Sequence, residues 1–401
     1  MSLKVFKDLI DEATVATIPE SGSFKAAGAG FLSKRDPFSY AADRLIVADG
    51  CAFDVFDGAV WRQAVNRGVI DVAPVSILDA GGSLAVGTDY YVYICITGTG
   101  DAELVISANA TYPAGFTAQN SRKIGGFHYG HVRHVADDGS WTPIDTNGVK
   151  FGGSGTDWKN NVSIGIVPNS VWDLKNRPVC DPEGMVKINS YSWRDIYKAS
   201  AAVPIELEGP GLHVKTGKLQ SKYGQIPVTG TEGANWYVFA ELAALSGKRL
   251  PTYAEFIAAA RGNPQGEDGA DNYGWTKTTN SSRVRTGCQV NTSTGAFDGA
   301  TGVKPYAISA MNCVDAIGNV QEWLDELSYR EDGAAPGWAW RDVLGSGKGQ
   351  AYLYNTVGLV VLTAGGDWHN GVYAGARTVI ASYFPWNVFT PIGVRLACDA
   401  A

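Results

Sequence analysis

The chain has 401 residues, above the roughly 100–200 of a usual single domain, so two or three domains are expected. Only 18% of it is charged, while 49 glycines, 12 tryptophans and 18 tyrosines suit short strands, tight turns and aromatic surfaces, which argues against coiled coil and against disorder. The formal charge of −7 comes without a basic block, so nucleic acid is excluded as an expected partner for want of an electrostatic footprint on phosphates.

Residues 1–43 are rich in small and polar residues, with Gly22, Gly28 and Gly30 and no clean period; they read as an attachment or oligomerisation segment whose fold the pattern does not assign. Residues 44–165 read as strands. Tyr90–Thr97 is β-branched and aromatic, Gly98–Asp101 ends it with turn residues, and Glu103–Ser107 resumes, the pattern of a hairpin. Several such runs at regular spacing predict a β-sandwich. Gly148–Asp157 reads as a linker, four of its ten residues being glycine.

Residues 166–401 follow a different grammar. Asn235–Leu245 has apolar residues at helical spacing, with Asn235 as cap and Gly247 at the left-handed position beyond the end. Thr252-Tyr253-Ala254-Glu255 is a capping box opening a second short helix, Tyr253–Arg261, closed by Gly262. Gly, Asn, Ser and Thr then dominate to about Gly302. The whole reads as α+β: a β-rich N-terminal region, then two short helices packed on a twisted antiparallel sheet.

Several chemistries can be weighed against ordinary structural roles. His128, His131 and His134 stand at i, i+3, i+6 on a strand-like stretch, a spacing that does not put all three on one face, so a metal cluster is not expected. The acid pairs Glu322 with Asp325 and Asp325 with Glu326 read as solvated carboxylates rather than a general acid and base. No nucleophile elbow, phosphate loop or metalloprotease helix occurs. The six cysteines (Cys51, Cys95, Cys180, Cys288, Cys313, Cys398) are scattered, with no Cys-x-x-Cys, and read as buried reduced thiols. Residues 1–8 carry no signal-like apolar core, and the longest apolar stretch, Val357–Ala364, is far short of the ~20 residues that span a bilayer, so no membrane insertion is expected. No cofactor is expected; loops at Glu267–Asn272 and Glu331–Asp332 could offer oxygen ligands to a structural calcium.

Four blocks in order carry the strongest signal: Gly247–Phe256 with Ala258–Gly262, then Gly318–Trp323, Gly365–Trp368 and Gly393–Ala397. They resemble the C-type-lectin-like domain shared with formylglycine-generating enzymes. In physical terms they read as a frame, with Trp323 and Trp368 filling a core and Arg249, Arg377 and Arg395 holding loop carbonyls and carboxylates. The enzymes so resembled carry a redox cysteine pair shortly after the Gly-Gly-x-Trp block. Those places hold Asn370 and Gly375 here, and Gly365–Ala397 contains no cysteine, so oxidase chemistry is not expected.

A second resemblance is closer. Arg122–Tyr129, Val171–Pro178, Asp181–Met185, Trp193–Tyr197 and Trp236–Glu241, with the tail pattern of Gly365, Gly366, Trp368, Gly375, Arg377, Gly393 and Arg395, look like segments of the bacteriophage major tropism determinant family. The likeness runs from about Gly87 to Asp399 and weakens in the loops around 263–305 and 325–362. In that family a diversity-generating retroelement rewrites codons of the last C-type-lectin segment. By position, the resemblance implies ligand-binding variable residues at Asp367, His369, Asn370, Gly371 and Tyr373, then Ile380, Ser382, Tyr383, Asn387, Phe389, Pro391 and Ile392. None is Lys, Glu, Gln, Met or Trp, the types that mutating the adenines of an AAC codon cannot produce. Among them Tyr373, Tyr383 and Phe389 are the expected aromatic anchors, and Trp368, Phe384 and Trp386 are expected to pack inside.

What this implies is a non-enzymatic receptor-binding protein at a phage tail-fibre tip. It would be made in the bacterial host cytoplasm, assembled as a homotrimer with other virion tail proteins, and bind a host-surface receptor, protein or glycan. The alternatives are a fixed adhesin or structural virion protein, and an oxidase of the formylglycine-generating type.

Overall fold

In the computed structural model the described residues are 30–34, 43–133, 162–209, 211–263, 275–276, 278–287, 308–330, 338–341, 351–354 and 358–401. They fall into two compact units, one drawn from residues 1–130, 164–177 and Ala401, the other from 131–163 and 178–400. Most of the N-terminal segment 1–43, the Gly148–Asp157 linker and both candidate calcium loops lie outside the described residues. No described helix is long and apolar enough to cross a membrane.

The first unit is built of short strands. β1 (Leu32–Lys34), β2 (Leu45–Val47) and β5 (Ile70–Val72) form one sheet, and β3 (Ala52–Phe56) pairs with β4 (Trp61–Val65). The largest sheet orders β10 (Trp172–Asp173), β8 (Ser121–Arg133), β6 (Thr88–Ile96) and β7 (Ala102–Ser107), with β9 (Val162–Ile166) also on β8. The expected hairpin is β6–β7, closed by the Thr97 N–H donating to the Asp101 carbonyl at 2.8 Å. Alternate residues of all three sheets, among them Val47, Phe53, Val72, Val92, Ile94 and Ile106, meet in one buried core, which makes the unit sandwich-like.

The sequence reading ends this unit at residue 165, whereas the fold carries it on to Arg177. Val171 belongs to the first core, and β10 pairs with Gly125 and Gly126 of β8. That pairing explains the two glycines: a Cβ would lie 2.5 Å from the Trp172 carbonyl at Gly125 and 2.6 Å from the Tyr90 carbonyl at Gly126. Asp173 fixes this part of the first unit. It is buried, and its carboxylate accepts the N–H groups of Phe31 (2.7 Å), Lys175 (2.8 Å) and Asn176 (2.8 Å).

In the second unit β11 (Met185–Lys187), β12 (Ser192–Asp195) and β21 (Ala397–Asp399) form a sheet, and β13 (Ala199–Leu207) makes a hairpin with β14 (Val214–Ser221). Helix α1 (Trp236–Leu245) starts where Asn235 accepts the Val238 N–H at 3.0 Å. It ends in a Schellman turn: Gly247, at φ 69°, donates to the Ala244 carbonyl and Lys248 to that of Ala243. Helix α2 (Tyr253–Ala259) has the expected capping box of Thr252 and Glu255 and stops two residues earlier than Arg261.

The principal sheet orders β16 (Trp338–Arg341), β17 (Ala351–Tyr354), β19 (Val379–Tyr383), β18 (Gly358–Ala364), β15 (Gln321–Arg330) and β20 (Ile392–Gly393). It is largely antiparallel, with parallel contacts of β17 on β19 and β20 on β15. Phe239, Leu242, Trp323, Val361, Ile392 and Leu396 share the core between α1 and this sheet.

The Thr252 cap contributes about 1 kcal/mol. Thr252→Ala is therefore expected to lower the unfolding free energy of the second unit by that amount, read by urea denaturation with tryptophan fluorescence. An unchanged midpoint would remove the cap from this account.

Candidate functional site

The block Gly318–Trp323 leads into β15 and puts Glu322 at the centre of the second unit. Its carboxylate is 1% exposed and takes three cations: Arg194 Nη2 at 2.6 Å, Lys198 Nζ at 2.7 Å and Arg395 Nε at 3.0 Å. Arg395 also donates to the carbonyls of Asp195 (3.1 Å), Ile196, Val314 (2.6 Å) and Asp315 (3.0 Å), joining two separate chain segments as a forked donor can. Burial would raise the Glu322 carboxyl, but Lys198, Arg395 and Arg194 outweigh it and hold the group at about 2. Burial also pulls the Lys198 ammonium down to about 8, against the attraction of Glu322. Glu322 is thus committed to structure; Asp325 is exposed, and Glu326 accepts the Tyr253 N–H at 2.5 Å.

Beside this hub lies a buried polar relay. Thr363 donates to Gln321 Oε1 at 2.7 Å, and Gln321 Nε2 donates to Asp367 Oδ2 at 2.8 Å. Asp367 Oδ1 accepts the His369 N–H, and the Asp367 N–H reaches Asn370 Oδ1, both at 2.8 Å. Gly366, at φ 75°, makes this turn possible, since a Cβ there would meet the Ala374 backbone at 2.8 Å.

The relay underlies two groups of aromatic rings. Tyr373 stacks on Trp340 with centroids 4.6 Å apart and planes 8° from parallel, and Trp340 packs on Tyr352 at 5.0 Å. Tyr352 is on β17, which runs beside β19, the strand that carries Tyr383. Tyr383 packs on Phe389 at 4.9 Å and edge-on to Trp323 at 6.1 Å. Burial, followed by the Asp367 charge, pushes the Tyr383 hydroxyl up to about 12, so it stays a neutral donor and acceptor. Tyr373, 43% exposed, and Phe389, 38% exposed, bring these two groups to solvent.

The twelve positions implied by resemblance divide in two. His369, Asn370, Tyr373, Tyr383, Asn387, Phe389 and Pro391 keep accessible surface. Asp367, Gly371, Ile380, Ser382 and Ile392 are buried within this chain. Ile380 and Ser382 of β19 are buried, and a register shift between Ile380 and Tyr383 brings Tyr383 opposite Val361 of β18, where it packs on Trp323. Ile392, fully buried, pairs with Gln321. These five shape the face from below and present little area to a partner.

The expectation that Trp386 packs inside is also corrected. It is 56% exposed and stacks on half-buried Phe384 at 4.9 Å. Trp368 is half-buried. Sequence reasoning missed Trp340 and Tyr352, which fell in a region read as divergent loop. The alternating aromatics of Trp338-Ala339-Trp340 and Tyr352-Leu353-Tyr354 were the available strand signal.

The other candidates resolve into structure. His128 is buried with Nδ1 3.0 Å from Asp89, His131 packs on Tyr223, and His134 lies outside the described residues. Among the described residues no three His, Cys, Asp or Glu side chains are grouped to hold a metal. Arg249 holds Glu255 at 2.6 Å and Asp399 at 2.7 Å, whereas Arg377 is exposed and its carbonyl accepts the Tyr253 hydroxyl.

The sulfatase-modifying factor enzyme 1-like domain matches residues 182–400, more than half of the chain, and the chain belongs to that family. The Mtd second domain matches residues 38–159. Over 325 residues the chain is 29% identical to the tail fiber receptor-binding protein of Bordetella phage BPP-1, covering 79% of this chain and 72% of that protein. Among solved structures it is similar to the Major Tropism Determinant M1 variant (TM-score 0.62, 24% identity, 94% of this chain and 85% of that one). The P3c variant is similar to the same degree (TM-score 0.61, 24% identity, 94% and 86%). These likenesses agree with the resemblance read in the sequence and with its α+β fold.

Removing one partner from a buried ion cluster costs about 3–5 kcal/mol. Glu322→Gln is expected to destabilise the second unit by that much in urea denaturation. Because Glu322 titrates at about 2 in the folded chain, below the usual carboxylate value of 4.5, its contribution is complete above about pH 4.5 and lost as pH falls toward 2. Thermal melting from pH 6 to 2 should show that acid limb in the wild type and flatten it in Glu322→Gln. An equal acid limb in both would contradict the assignment.

Proposed function

We propose that this chain is the receptor-binding protein of a phage tail fibre, and that the aromatic face of its second unit contacts a ligand on the host surface. The carrying observation is the pair of aromatic groups Tyr373–Trp340–Tyr352 and Tyr383–Phe389 on neighbouring strands and loops, each reaching solvent and mounted on a buried ionic frame. Tyrosine brings contact area at low entropic cost, and the exposed His369 adds a hydrogen-bonding group, while Asn370 and Asn387 hold the turns beside it by accepting the Asp367 and Phe384 N–H groups. The tail fiber receptor-binding protein of Bordetella phage BPP-1 supports the same reading through its similarity along most of this chain. Function is then recognition without a chemical step, and the positions after Gly366 where a thiol oxidase would need sulfur hold Asn370 and Gly375.

The finer parts belong to the same proposal. The accessible positions of the set implied by resemblance are the variable contacts, rewritten by a retroelement, and the buried ones tune the backbone beneath them. The chain acts as a homotrimer in the virion, held by other tail proteins. Several shallow sites then raise avidity by roughly 10²–10⁴-fold where geometry permits. A coding near-copy of Gly365–Asp399 and a reverse transcriptase beside the gene would support diversification; a gene without them points to a fixed adhesin.

The test is adsorption of labelled full-length protein to cells of its host bacterium. Alanine at Tyr373, Tyr383 and Phe389 together is expected to weaken binding at least about 30-fold, the equivalent of the roughly 2 kcal/mol or more lost at hot-spot anchors. Trp340→Ala should weaken it about tenfold by unseating Tyr373. Undiminished adsorption of the triple variant, with its circular dichroism unchanged, would overturn the reading.

A further inference from the structure

The chain entering the second unit runs antiparallel to its last strand. Pro178 bridges Ala400, and the Val179 N–H donates to the Asp399 carbonyl at 2.9 Å. One more step of this register sets Cys180 opposite Cys398. The Cys180 N–H donates to Cys398 Sγ at 3.3 Å, while the Cys180 thiol donates to the Asp181 carbonyl and to Met185 Sδ, both at 3.4 Å. Residues flanking a hydrogen-bonded pair stand opposite each other with Cα atoms about 4.5 Å apart, inside the span of roughly 4.4–6.8 Å that a disulfide bridges. Among the described cysteines no other two are hydrogen-bonded to each other, and all are free thiols here.

We propose that Cys180 and Cys398 are a cross-link site: a small-molecule disulfide such as oxidised glutathione converts them to a disulfide that closes the second unit between its first and last segments. This inference does not rest on the receptor-binding reading. Cys180 is half-buried and reaches the surface, while Cys398 is buried behind it. The Cys180 thiol and N–H and the nearby Lys248 ammonium pull the Cys398 thiol below its ordinary range, which favours its thiolate.

Cys180 attacks one sulfur of the oxidant, forming a mixed disulfide, and its proton leaves with the first released thiol. The Cys398 thiolate then attacks the Cys180 sulfur and expels the second thiolate. Two protein thiols are oxidised to one disulfide, and one small disulfide is reduced to two thiols. The residues joined are 218 apart, so the bond encloses almost all of the segment matched at 182–400 and with it the whole aromatic face. A protein passing from a reducing cytoplasm to an oxidising exterior would gain this closure on the way.

The experiment uses the reduced full-length chain, incubated with oxidised glutathione at pH 8, then denatured and titrated for thiols. Titratable thiols are expected to fall from six to four, in line with the six cysteines present. Peptide mapping without reduction should recover the Cys180–Cys398 linkage, and the melting temperature should rise by roughly 5–10 °C, reversed by dithiothreitol. Cys180→Ser and Cys398→Ser should each abolish the rise, while the mapping on the unaltered chain holds even if a variant folds poorly. Six remaining thiols, a stable glutathione adduct on Cys180, or a linkage through any other cysteine would overturn the proposal.

Discussion

One buried carboxylate organises the second unit. Glu322 is closed off from water, yet it is matched by two guanidinium groups and an ammonium that arrive from β12, from the chain just before β13, and from the segment between β20 and β21. Charges buried in this way are costly unless each finds a partner, and loss of the single anion would leave three cations facing one another. The cluster therefore specifies which distant segments must meet. Arg395 extends the constraint by gathering four backbone carbonyls from residues 195–196 and 314–315. The geometry of the sheet above follows from that anchoring.

The aromatic face is suited to change because little of its support comes from its own outermost groups. Gln321, Thr363 and Asp367 fix the turn from below through side-chain hydrogen bonds, and Trp323 and Ile392 fill the core beneath. Tyr373, Phe389 and His369 then project from a backbone held by other means. Replacing such groups alters what the surface can bind while leaving the frame intact, which links the ionic hub to recognition.

Much of the frame was legible in the sequence because its signals are local. Asn235 and Gly247 bracket one helix, Thr252 and Glu255 open the next, and the Gly, Trp and Arg blocks fall where close packing and forked donors are needed. Other features depend on pairing partners that a single strand does not name. The burial of Ile380 and Ser382 depends on how β19 meets β18 through a register shift, and Trp340 joins the face because β16 is carried there by β17. The continuation of the first unit to Arg177 rests on a two-residue strand, β10, too short to leave a periodic trace. Trp386 looked like core by residue type alone; its stacking on Phe384 covers only one side of the ring.

The central claim is that binding is concentrated on the aromatic face. Hydrogen–deuterium exchange of the full-length chain, with and without outer-surface material from the bacterium to which it adsorbs, tests this most directly. Slowed exchange confined to residues 338–354 and 366–392 is the predicted result. Protection that leaves those residues unchanged and falls on the first unit instead would contradict the account.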